Sequence, residues 1–99
     1  MQNDSEKPKL ELKQRAYLYA LQILKFIYAL DKKDWGTSVI SKQLLRSATS
    51  IGANNIEAQA GSTKKDFTNF FSYALKSANE SKFWLGLLRD SGKADRTKT

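Results

Sequence analysis

Apolar residues recur every three or four positions along three stretches of the chain, separated by charged or glycine-marked breaks. That spacing matches the helical period and predicts three amphipathic helices. The first spans about 10–30, with a seam of Leu12, Ala16, Tyr19, Ala20, Ile23, Phe26, Ile27 and Leu30. At ~100° per residue these side chains share about a third of the helix circumference. Asp31, Lys32, Lys33 and Asp34 interrupt the pattern and form a connection short enough to join antiparallel neighbours. The second helix spans about 37–60, with a seam of Ile40, Leu44, Ala48, Ile51 and Ala58, and Thr37 or Ser38 is placed to cap its start. Its smaller seam residues let a neighbouring helix approach closely. Gly61 stands where a helix end favours glycine. The third spans about 62–89, with Ser62 as its cap and Asp66 at the positive end of its dipole. Its seam is Phe67, Phe70, Phe71, Ala74, Leu75, Ala78, Leu85 and Leu88. Residues 1–9 and 91–99 read as polar tails around one helical domain, 10–90. No strand-like alternation occurs, so the fold class is all-α: an antiparallel up-and-down bundle.

Two of the helices are apolar on more than one side. Tyr17, Leu21, Leu24 and Tyr28 follow i, i+4, i+7, i+11 and form a stripe that cannot face the same core as the main seam. The third helix ends Phe83, Trp84, Leu85, Gly86, Leu87, Leu88, apolar nearly all round. Surfaces of this kind mark an interface. Either a fourth helix covers them or subunits cover one another, and Tyr17, Leu21, Leu24, Tyr28, Phe83, Trp84 and Leu87 are the candidate interface residues.

The second helix also carries a polar stripe. Gln43, Arg46, Ser47, Ser50, Asn54 and Glu57 project onto an arc of ~100° beside the apolar seam. Arg46 is a planar donor fork, Asn54 both donates and accepts, and Glu57 only accepts. Such a set can satisfy itself across a helix–helix or subunit contact. It can also hold a phosphate on Arg46.

Composition narrows the function. The 99 residues allow one domain, and 40% apolar with 11% aromatic content is enough for a small core. Without cysteine or histidine the chain lacks a disulfide framework, a thiolate metal site and the commonest general base. Asp66 and Glu80 stand about 21 Å apart along a helix and cannot act as a paired acid and base. No glycine-rich phosphate loop, zinc-protease motif or serine triad is present. The expectation is a non-enzyme without cofactor or metal. The absence of a long apolar run and of a secretory leader pattern suggests a cytoplasmic protein with no membrane partner. A formal net charge of +7 fits an anionic partner, RNA or DNA first, and equally fits solubility by charge alone. Lys32, Lys33, Lys42, Lys64 and Lys65 are the candidate phosphate contacts.

The run Gln43-Leu44-Leu45-Arg46-Ser47-Ala48-Thr49-Ser50-Ile51-Gly52-Ala53-Asn54, followed by Glu57-Ala58, resembles the signature of the bacterial four-helix bundle protein family, which includes proteins encoded in 23S rRNA intervening sequences. The chain is also similar to the accessory variability proteins of diversity-generating retroelements. Residues 20–27, Lys65-Asp66-Phe67, Ala74-Leu75-Lys76 and Glu80 with Trp84-Leu85 extend the likeness over residues 16–90. The resemblance implies an antiparallel four-helix bundle that assembles as a homopentamer, with a basic surface and no enzyme activity. For the retroelement relatives it implies binding to a reverse transcriptase and nucleic acid. It places the family's polar signature on Arg46, Ser47, Ser50, Asn54 and Glu57. Asn55 departs from it where an apolar residue is usual, Ser77 departs where an acidic one is common, and the fourth helix is expected to be missing or truncated after Asp90. Two functions follow as expectations: a self-associating protein that binds nucleic acid or a nucleoprotein, and an adaptor or accessory subunit that binds another polypeptide without touching nucleic acid.

Overall fold

The computed structural model describes residues 7–92. They form three helices, α1 (Lys7–Ala29), α2 (Trp35–Ala60) and α3 (Lys64–Asp90), with no strand among the described residues. Helix α1 starts at Lys7 rather than Leu10, taking in Pro8 within its first turn, where a backbone N–H has no helical partner to lose. Residues 1–6 and 93–99, most of both expected tails, lie outside the described residues. So does any fourth helix.

The helix starts differ from the sequence reading in one informative way. Helix α2 is capped by Asp34, whose carboxylate accepts from the Thr37 backbone N–H at 3.0 Å and from the Thr37 hydroxyl at 2.8 Å. Helix α3 is capped by Thr63, whose hydroxyl accepts from the Asp66 N–H at 3.0 Å. Thr37, Ser38 and Ser62 are therefore not the caps, and Trp35 and Gly36 join α2. Gly61 ends α2 with φ −63°, so no left-handed turn demands it. Close approach does: a Cβ there would meet the Asp66 Cβ at 2.9 Å.

Helix α2 lies between the other two and packs against both, more extensively against α3. Ile23 and Ile27 of α1, Leu44 and Ala48 of α2 and Leu88 of α3 form one buried cluster. It joins the C-terminal end of α1 to the N-terminal half of α2 and the C-terminal end of α3, so the chain runs up, down and up. Phe26, Leu30, Ile40, Leu45, Trp84 and Leu85 pack around it. The other half of the bundle is buried on small or polar residues, with Ala16, Ala58, Ala74, Asn55 and Ser77 in place of large ones. Leu12, Phe67 and Leu75, expected in the seams, are 40%, 44% and 55% exposed. Among the described residues no further helix closes over them at that end. Between the halves the Tyr19 hydroxyl meets the Ser81 hydroxyl at 2.5 Å and ties α1 to α3.

Candidate interaction surfaces

Two grooves run along α2, one on each flank. On the α1 flank, Ala16 and Ala20 face Gly52 and Ala53, and these small side chains floor a cavity of about 520 Å³ walled by Lys13, Tyr17, Thr49 and Ile56. Tyr17 is 68% exposed and Tyr28, three turns along α1, is 73% exposed. Leu21 and Leu24 of the same stripe are half-buried, so the aromatic ends of the stripe are its open part. On the α3 flank, Thr37 and Ile40 face Leu87, Leu88 and Ser91 across a cavity of about 300 Å³. Phe83 is 60% and Leu87 41% exposed beside it. Trp84 is half-buried beside this surface: it packs on the core cluster and meets the Phe83 ring edge-on at a centroid distance of 5.0 Å.

The polar stripe of α2 divides into three parts. Ser47 is buried, and its hydroxyl donates to the Leu44 carbonyl at 3.1 Å. Ser50 donates to the Arg46 carbonyl at 2.8 Å and Asn54 to the Ser50 carbonyl at 2.9 Å, while Gln43 and Asn54 are half-buried. Arg46 and Glu57 are exposed, and among the described residues their side chains hold no hydrogen bond or ion pair. The stripe is thus no hydrogen-bond network between helices of one chain, because its short side chains satisfy themselves on their own helix. By helical spacing Gln43, Ser47, Ser50 and Asn54 continue the Ile40 flank and border α3, whereas Arg46 and Glu57 turn outward.

The candidate phosphate contacts fall at opposite ends. Lys33 and Lys42 are exposed near the start of α2, while Lys64 and Lys65 are exposed at the start of α3, beyond the end of α2. Along the axis of α2 its far end lies ~27 Å from Lys42 and ~39 Å from the helix start beside Lys33. Lys32 is corrected: its ammonium donates to the carbonyls of Ile27 at 2.6 Å and Leu30 at 3.0 Å, closing the C-terminal end of α1. Arg89 is held by Asp90 at 2.9 Å, and that hydrogen bond, followed by their attraction, raises the guanidinium pKa above its ordinary value. Leu18, Trp35, Ile56 and Tyr73 are exposed and escaped the sequence reading, Trp35 the most exposed of them. Trp35, first in α2, is 83% exposed. Trp35, Lys42 and Arg46 stand at i, i+7 and i+11, one outward line on α2. The signal was present in the chain, an aromatic residue beside Lys33 at a helix start with no seam partner.

Among the described residues no group of three acidic side chains suits a metal ion, and no helix is long and apolar enough to cross a membrane. Fold and surfaces together define an all-α helical-bundle protein that displays grooves and exposed aromatic residues. The chain belongs to the 23S rRNA-intervening sequence protein family, whose model matches residues 8–99. It is also similar to a crystallised protein of unknown function from the S23 ribosomal protein family of Bacteroides thetaiotaomicron VPI-5482, at 37% identity and a TM-score of 0.82. That match covers 91% of this chain and 80% of the other. No curated protein matches.

Proposed function

We infer that this protein is a non-catalytic assembly module: it self-associates, and the assembly binds nucleic acid. The observation that carries the first part is the pair of unlike surfaces on the two flanks of α2. Tyr17, Tyr28 and Ile56 stand on one side, and Phe83 and Leu87 beside the Gln43, Ser50 and Asn54 row on the other. A monomer would leave both in water, which large contiguous apolar patches rarely tolerate. Two different surfaces on opposite flanks pair head to tail, and head-to-tail contacts close into a ring when the rotation between subunits closes. The family resemblance sets the expected closure at five subunits.

The nucleic-acid part rests on the outward line of α2. Trp35 offers a free aromatic face, and Lys33, Lys42 and Arg46 bring cations to the same side. Exposed aromatics among cations suit single-stranded or looped RNA, where bases stack and phosphates pair. In a ring this line repeats once per subunit, so weak contacts add.

Fluorescence anisotropy with a structured RNA and a DNA duplex, run across a salt series, tests this reading. The expected result is RNA binding that weakens steeply as salt rises. Trp35→Ala should weaken it roughly tenfold, at about 1–3 kcal/mol per stacked base. Lys42→Glu with Arg46→Glu should flatten the salt slope. Absence of binding at low salt, or binding indifferent to salt, rejects the nucleic-acid part and favours an adaptor whose partner is a polypeptide.

A further inference from the structure

The groove on the α1 flank of α2 has a charged end and an uncharged end. Lys13 and Ile56 stand at one end, Ala20 and Thr49 at the other, because α1 and α2 run antiparallel. From Lys13 to Ala20 the groove spans ~10.5 Å along α1, at about 1.5 Å per residue. Its middle is floored by Ala16 and Gly52, which lie in van der Waals contact. The outer face of α3 has the matching outline. Glu80, Phe83 and Leu87 stand there at i, i+3 and i+7, all exposed, and cover the same ~10.5 Å. Among the described residues neither Lys13 nor Glu80 holds an ion pair.

We propose that the groove of one copy receives this segment of α3 from the next copy, in a fixed register and direction. Glu80 meets Lys13, Phe83 lies over Ala16 and Gly52, and Leu87 reaches Ala20 and Thr49. The inference rests on the self-association reading and adds which residues meet and which way the incoming helix points. In this register the incoming α3 runs parallel to the α1 that receives it. Helices α1 and α3 of one chain also run the same way. Successive copies therefore keep one direction, as a ring around an axis along the bundle requires. The reverse register would set Leu87 against Lys13 and leave Glu80 without a cation. It would also invert each copy relative to the last, which rotation about that axis does not do. A second copy is the occupant because groove and ridge belong to the same chain and agree in length, apolar middle and end charge. The small floor lets the two helices come close, and the charged pair at the end sets direction more than strength.

The chain has no cysteine, so paired cysteines report on the register directly. The full chain carrying both Lys13→Cys and Glu80→Cys should form a ladder of disulfide-linked chains on oxidation. Either substitution alone should form none, because the contact joins unlike surfaces. Lys13→Glu and Glu80→Lys should each weaken association by up to about fivefold per contact, and the two together should restore it. Ala53→Phe fills the groove from within and should leave smaller species that remain helical by circular dichroism. Light scattering on the same samples separates the two levels of failure. An intact oligomer that gives no ladder, or that crosslinks as well through one cysteine as through two, overturns this register and leaves self-association standing. A monomeric parent overturns both.

Discussion

The two ends of this bundle are built differently. At the end where α1 meets α2, Ile23, Ile27, Leu44 and Leu88 are buried together under Trp84, Phe26 and Ile40. At the end where α2 meets α3, burial falls on Ala16, Ala58, Ala74, Asn55 and Ser77, while Leu12, Phe67 and Leu75 remain in contact with water. The first end has the methylene groups that stabilise a small domain at roughly 0.8 kcal/mol each. The second has close backbone approach and an open cavity lined by Leu12, Ala16, Ile51 and Ala78. The large-residue end holds the fold, while exposed aromatic and apolar residues stand at both ends, Tyr28, Phe83 and Leu87 at the first and Tyr17 and Ile56 at the second. Elements with fewer buried apolar contacts open more readily, so amides of residues 12–16 and 67–75 should exchange with solvent faster than those of residues 23–27 and 84–88.

The largest expected effect lies at the packed end. Leu44→Ala or Leu88→Ala should lower unfolding free energy by about 2–5 kcal/mol, measured by denaturant titration. Both side chains are essentially inaccessible. A domain this small has little stability to spare, so either variant should be partly unfolded at room temperature. At the open end the opposite sign is expected. Ala78→Leu extends into the cavity and should stabilise by about 1 kcal/mol, and a loss there would show that the cavity is not free space. The caps come next, one at each end. Asp34→Ala and Thr63→Ala should each cost about 1 kcal/mol. Equal losses would mean that both ends contribute to one cooperative transition, and a silent Thr63→Ala would mean that the start of α3 opens separately. The smallest effect is expected at Ser41, whose buried hydroxyl has no partner. Ser41→Ala should raise stability by up to about 1 kcal/mol, visible as a higher melting temperature.

Much of the packed end is legible in the chain. Ile23, Ile27, Leu44, Ala48 and Leu88 all stand in the seams that periodicity picks out, because large apolar residues at helical spacing have one low-energy place to go. The open end is not legible in the same way. Ser47, Ser77 and Ser81 are buried without being apolar. Ser47 shows how: its hydroxyl is satisfied by the Leu44 carbonyl one turn back, so burial costs little and hydropathy gives no warning. Ser81 is satisfied by Tyr19, 62 residues away, a pairing that only the tertiary structure reveals. The reverse error affects Phe67 and Leu75, where apolar character and spacing predict a core that no neighbouring helix supplies. Lys32 misleads for a third reason. A lysine in a charged connection reads as solvated or phosphate-binding, and its contact with the carbonyls of Ile27 and Leu30 depends on the path of the turn.

Self-association is the central claim, and it rests on Tyr17 and Phe83, two exposed aromatics on opposite flanks of α2. Multi-angle light scattering on the purified protein measures its mass without reference to shape. The account predicts a single species at an integral multiple of the 11.2 kDa chain, with five copies favoured. Tyr17→Glu and Phe83→Glu, each alone, should reduce it to smaller species while circular dichroism stays helical, because neither side chain is part of the core cluster. A monodisperse, helical 11.2 kDa monomer at tens of micromolar would contradict the account.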